Sequence, residues 1–173
     1  FSPSGVLYGY TFSLIAGGGL FVSNLVTIAL NNGVQTIVGP MGRGFYEGGM
    51  TFDKDGKLWL YSEPTDDSCT TSTDCLYSVN PQTGATTVVG GDRSFAVTGL
   101  AADCSTVYAT GYALKGIDSD GFYTVNTTNG DMTFVGDINL PIATEGLDFA
   151  ADGTLYTIGA AIAKGPGIAP PLS

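Results

Sequence analysis

Apolar and polar positions alternate along this chain in short runs, and Gly, Asp, Asn and Pro break the runs. Residues 48–90 show the pattern most fully. GGMTFD (48–53) alternates small and apolar residues, and KLWLYS (57–62), CLYSVN (75–80) and ATTVVG (85–90) are rich in β-branched and aromatic side chains. Runs of this composition predict strands. KDG (54–56) and PQTG (81–84) stand between them, with Gly and Pro where tight turns want them. A long polar segment joins the second strand to the third. No convincing helix is predicted anywhere.

The pattern recurs. GGMTFDKDGKLWL (48–60), TGLAADCSTVYAT (98–110) and GLDFAADGTLYTI (146–158) are versions of one phrase, and the opening FSPSGVLYGY matches its second half. Alignment places Phe1, Phe52, Ala102 and Phe149 at one position, with spacings of 51, 50 and 47 residues. A second phrase occupies Leu25–Gly39, Leu76–Gly90 and Phe122–Gly136, where Gly33, Gly84 and Gly130 coincide, as do Gly39, Gly90 and Gly136. A four-stranded antiparallel unit repeated every ~40–50 residues predicts an all-β, β-propeller-like array. The units run 1–49, 50–99, 100–146 and a partial 147–160, followed by an extended Gly/Pro-rich tail at 161–173. They supply three, four, four and two strands, about three and a half blades. Tyr8, Trp59, Tyr108 and Tyr156 share one place in the second strand of each unit and are expected to pack between blades.

The phrases LYxVNPxTGxxTxVG and GLxFxxDGTLY resemble the repeats of secreted bacterial β-propeller and surface proteins. The likeness covers nearly the whole chain to about residue 160. It implies a fold and leaves the function open, because propellers host hydrolases, lectins, adhesins and scaffolds alike. Neither a WD dipeptide nor a full kelch signature is present.

Composition narrows the chemistry. The chain of 173 residues holds no His, which excludes Ser-His-Asp and Cys-His catalysis and His-ligated metals. Six Lys and Arg face 16 Asp and Glu, a formal charge of −10. Such a surface repels phosphate backbones and anionic lipids, so no nucleic-acid partner is expected. No uninterrupted apolar run reaches the ~18 residues of a membrane span. Only 13% of residues are charged, which fits a β-rich protein with much buried strand, or, as the sharper reading, a surface partly covered by neighbouring copies. The chain opens on Phe, which suggests processing or a fragment.

Antiparallel connectivity sorts the loops onto two ends. The long variable segments share one end, and Arg43, Glu47, Asp66, Asp67, Asp92, Arg93, Asp137 and Glu145 are its charged members. This is the candidate binding face. Paired acids there would suit glycoside hydrolysis only at a separation of about 5–9.5 Å, which a sequence cannot supply, and solvated loop acids are the expectation. DSDG (118–121) has Asp118 and Asp120 at the spacing of a calcium loop, without an EF-hand continuation. DKDG (53–56) reads as a hairpin turn. No cofactor is required, and calcium is the one candidate. Cys69 and Cys75 lie within one polar loop and are expected to bond, leaving Cys104 free, which implies an oxidising, extracellular or cell-surface setting. Asn126 opens a glycosylation sequon in an exposed turn.

Two functions follow. The first is a non-enzymatic structural or surface protein that assembles with other copies through open sheet edges, into oligomers or filaments. The alternative is a secreted binding propeller with carbohydrate as its ligand.

Overall fold

The computed structural model describes residues 1–14, 21–69, 74–91, 95–113, 121–138 and 142–161. The first unit forms β1 (Leu7–Tyr10), β2 (Ser13–Leu14), β3 (Phe21–Val22), β4 (Asn24–Ile28) and β5 (Gln35–Pro40). The second forms β6 (Phe45–Phe52), β7 (Leu58–Pro64), β8 (Cys75–Val79) and β9 (Thr86–Gly90). The third forms β10 (Phe95–Ala102), β11 (Val107–Ala113), β12 (Gly121–Val125) and β13 (Met132–Asp137), and the last forms β14 (Ile142–Phe149) and β15 (Leu155–Ala161). Among the described residues there is no helix.

Neighbouring strands pair antiparallel in the orders β1-β4-β5, β6-β7-β8-β9, β10-β11-β12-β13 and β14-β15. The predicted three, four, four and two strands per unit are therefore present, in a partial β-propeller of about three and a half blades. One element was not foreseen: β2 pairs with β3 beyond the β1–β4 hairpin, in the segment that links the second and third strand positions of the unit.

The blades pack face to face. Leu58 and Leu60 of β7 join Leu25, Met41, Phe45 and Tyr77 in one core between the first and second blades. Trp59 and Tyr61, the alternate residues, join Val97, Leu100, Val107 and Val125 in a second core between the second and third blades. β7 is thus buried on both faces, as period-two side chains between two sheets must be. Tyr61 also donates its hydroxyl to the Gly130 carbonyl at 3.0 Å, in a turn of the next blade.

The first strand of each blade lies innermost, so β6, β10 and β14 stand side by side around a hub. Their repeat-equivalent glycines make this approach feasible. A methyl group on Gly49 would strike the backbone of Gly99 and Leu100, and one on Gly99 would lie 3.0 Å from Leu147 Cβ. Only a residue without Cβ lets two backbones come this close.

Candidate functional site

Each innermost strand carries a bulge near its loop end, at equivalent positions in β10 and β14 and just before that position in β6. The pairing of β6 with β7 slips between Phe45 and Gly48, that of β10 with β11 between Val97 and Gly99, and that of β14 with β15 between Thr144 and Gly146. A bulge leaves a residue out of the ladder and re-aims its side chain. Here the displaced residues are Tyr46 with Glu47, Thr98, and Glu145, and all of them line one cavity of about 850 Å³ at the loop end of the hub. Tyr10 and Phe12 from the first blade, Glu63 at the end of β7 and Asp74 before β8 complete the wall.

The cavity has an acidic side and an aromatic side. Glu47, Glu63 and Glu145 are exposed at the mouth, whereas Asp74 is only 3% exposed. The Val97 amide, in the next blade, donates to Asp74 Oδ2 at 2.7 Å. Burial raises the Asp74 carboxyl to about 6, against the lowering effect of the Val97 hydrogen bond and with help from the Glu63 charge. One buried carboxyl therefore keeps its proton to higher pH than an ordinary aspartate does, beside acids exposed at the mouth. On the aromatic side, Phe12 stacks on Phe21 with ring centroids 4.4 Å apart, and Tyr46 tilts against Phe12 at 5.5 Å. Tyr10 donates its hydroxyl to the Tyr46 carbonyl at 2.8 Å and holds that residue in its bulge. Thr98 and Thr144 share a hydrogen bond of 2.9 Å across the third and fourth blades.

The sequence-predicted binding face and the cavity lie at the same end, but the predicted residues divide. Glu47 and Glu145 line the cavity. Arg43 lies over the Tyr77 ring at 5.5 Å and faces Asp66 at 3.8 Å, away from the cavity wall. Asp67 and Asp137 are exposed and are not among the lining residues. Asp92, Arg93, Asp118, Asp120 and the tail from 162 onward lie outside the described residues. Sequence reasoning missed Glu63, Asp74 and the aromatic wall. The one available signal for Asp74 was its place against Cys75.

The remaining predicted positions have plain structural surroundings. Cys69 and Cys75 are bonded, and Cys104 is free and exposed. Asp53 Oδ1 accepts from the Asp55 and Lys57 amides and its Oδ2 from the Trp59 indole at 2.8 Å, so DKDG is a turn. Asn126 Oδ1 accepts from the amide and hydroxyl of Thr128, which occupies the side chain in shaping the turn. Tyr8 meets Phe52 edge-on at 5.2 Å, and Tyr108 meets Phe149 at 5.6 Å, each across a blade junction. Tyr156 differs. It is 60% exposed, because no described sheet covers that face of β15.

No protein-family model and no curated protein matches the chain. Solved β-propeller structures do. The chain is similar to the GH43_1 enzyme from Xanthomonas citri complexed with xylose, at 13% identity and a TM-score of 0.55, covering 91% of this chain and 70% of that one. The same enzyme with xylotriose gives 14% and 0.57 over the same shares. A glycoside hydrolase family 43 arabinoxylan arabinofuranohydrolase from Bacillus subtilis, in complex with cellotetraose, gives 16% and 0.50, over 87% of this chain and 41% of that one. At these identities the likeness shows the fold. It also overturns the expectation of a non-enzymatic, self-assembling structural protein, since the structures that share this architecture are carbohydrate-active enzymes, and the carbohydrate-directed alternative fits them better.

Proposed function

We propose that this chain is a carbohydrate-active propeller that takes a saccharide into the hub cavity and hydrolyses a glycosidic bond there. The observation that carries the reading is Asp74, a buried carboxyl raised to about 6 in a cavity otherwise lined by exposed carboxylates. Glycoside hydrolysis needs two acids in two environments, one protonated and one ionised. Asp74 would give its proton to the glycosidic oxygen as the bond to the anomeric carbon breaks. A water would attack that carbon and pass a proton to an ionised carboxylate, for which Glu63 is the candidate because its charge acts on Asp74. The two carboxyls then recover their starting protonation by exchange with solvent.

The aromatic wall of Tyr10, Phe12 and Tyr46 supports the same ligand class, since a sugar ring presents an apolar face to a flat ring. The disulfide supports an oxidising, extracytoplasmic setting. The ligands and names of the similar enzymes supply the first probes. Release of reducing sugar from xylotriose and arabinoxylan is expected, falling as pH rises through about 6 as Asp74 ionises. Asp74→Asn is expected to cut the rate about 10²–10⁴-fold while saccharide binding remains. Binding without turnover would reduce the reading to a carbohydrate-binding propeller. Neither binding nor turnover across a panel of neutral oligosaccharides would overturn it.

A further inference from the structure

We propose that the Cys69–Cys75 disulfide is the positioning device of the hub site: it clamps the segment that carries Asp74, so that opening the bond withdraws this carboxyl from its buried place in the cavity. The inference rests on the reading of Asp74 as the acid of the hub. Asp74 precedes β8, and the β7–β8 ladder begins only at Cys75, opposite Ser62. The residue is thus outside the ladder, at the end of the polar loop that follows β7. Three features fix it. The Val97 amide of the next blade binds its carboxylate. Gly91 packs beside it so closely that an added Cβ would lie 2.4 Å from the Asp74 carbonyl oxygen and 3.2 Å from the Cys75 sulfur. The third is the bond to Cys69, six residues back.

Without the bond, few contacts among the described residues hold the loop between β7 and Asp74: the Thr65 amide donates to the Gly44 carbonyl at 2.9 Å where the loop leaves β7, and Cys69 packs against the first core. Ser68 and Tyr77 share a 3.3 Å hydrogen bond, the Ser68 amide donates to Asp66 Oδ1 at 3.1 Å, and Arg43 faces exposed Asp66 at 3.8 Å. The Arg43–Asp66 pair is long and half in solvent, so it restrains the loop little. One hydrogen bond from Val97 would then oppose the conformational freedom of the released loop and the desolvation of a carboxyl. The Glu63 charge on β7 disfavours the ionised form of Asp74; Tyr10 on β1, Glu47 on β6 and Glu145 on β14 line the same cavity, while β10 presents only Ala96, Val97 and Thr98 there. Cys75 itself is 2% exposed within the first core, so the blade keeps its packing when the sulfur becomes a thiol.

The test titrates carboxyl carbons by NMR in the full chain, with Asp74→Asn identifying the Asp74 signal. Spectra are compared for the oxidised protein and for the protein reduced by a phosphine, which supplies two electrons while two protons complete the two thiols. The Asp74 midpoint is expected to fall by about one pH unit or more on reduction, as burial is lost, with Asp103 unmoved as the internal control. A purely structural staple would leave the midpoint of the folded, reduced chain where it was, and that result overturns the proposal. Should the reduced chain unfold, Cys69→Ser with Cys75→Val, which fills the buried site with an apolar group, is titrated in its place under the same two outcomes. No saccharide enters the measurement. A chain that neither binds nor cleaves sugar would therefore sink the function proposed above and leave this result standing, and the converse also holds.

Discussion

Asp74 carries the chemistry proposed for this molecule, and its environment makes a stability prediction independent of any substrate. Burial raises its carboxyl from an ordinary 3.8 to about 6. The folded state therefore binds this proton more tightly than the unfolded chain does. The stability it contributes is fully present below the unfolded value and is lost as pH rises through about 6, a change on the order of 3 kcal/mol. Asp74→Asn removes the titration. Urea midpoints of the wild type are expected to fall relative to the variant between about pH 4 and pH 7, with the variant more stable at pH 7.5. Parallel midpoints across that range would contradict the burial argument. Asp103 works in the opposite sense: hydrogen bonds from the Ser105 and Thr106 amides and from Tyr108 hold its carboxyl below the usual range. Little of this was legible in the sequence, where both residues are acids in polar segments. The difference lies in what folds over them.

At the scale of the element, β7 and β15 answer to the same phrase of the repeat and meet different fates. Trp59 and Tyr61 of β7 are 2% and 0% exposed, whereas Tyr156 and Ile158, their equivalents in β15, are 60% and 70% exposed. β7 has a described blade on each side, and β15 has one on one side only. The expectation that all four position-matched aromatics pack between blades therefore fails at Tyr156. Trp59→Ala should cost about 3–5 kcal/mol in chemical denaturation. Tyr156→Ala should stay within about 0.5 kcal/mol of wild type, as exposed substitutions usually do. Equal losses at the two positions would mean that a further surface covers β15.

At the scale of the whole molecule, blade follows blade through glycine contacts that the second phrase of the repeat encodes. A Cβ on Gly90 would strike the Asn129 carbonyl in the turn of the next blade, and its φ of 151° already disfavours other residues. Gly136 holds the equivalent place in the third unit, and nothing lies within 4 Å of a Cβ built there. Gly90→Ala is expected to destabilise by about 2–4 kcal/mol through strain and displacement. Gly136→Ala should be neutral or stabilising by about 0.5–1 kcal/mol, since alanine loses less backbone entropy than glycine in a strand. Thermal unfolding of the two variants separates these outcomes.

The sequence by itself determined the blade strands, their antiparallel order, the disulfide and the end of the molecule that carries the cavity, but not the extra β2–β3 pair of the first unit. What it determined follows from short-range signals: period-two apolar runs, Asn-Gly and Asp-Gly turns, two cysteines in one loop, and the recurrence of whole phrases. The hub site was decided only by tertiary structure. Its walls come from four units, brought together by bulges that no local residue pattern announced, and its acid acquires its character from burial against Val97 of another blade. Sequence separation hides such a site, because protonation depends on the surroundings that assemble around a carboxyl and not on its neighbours along the chain.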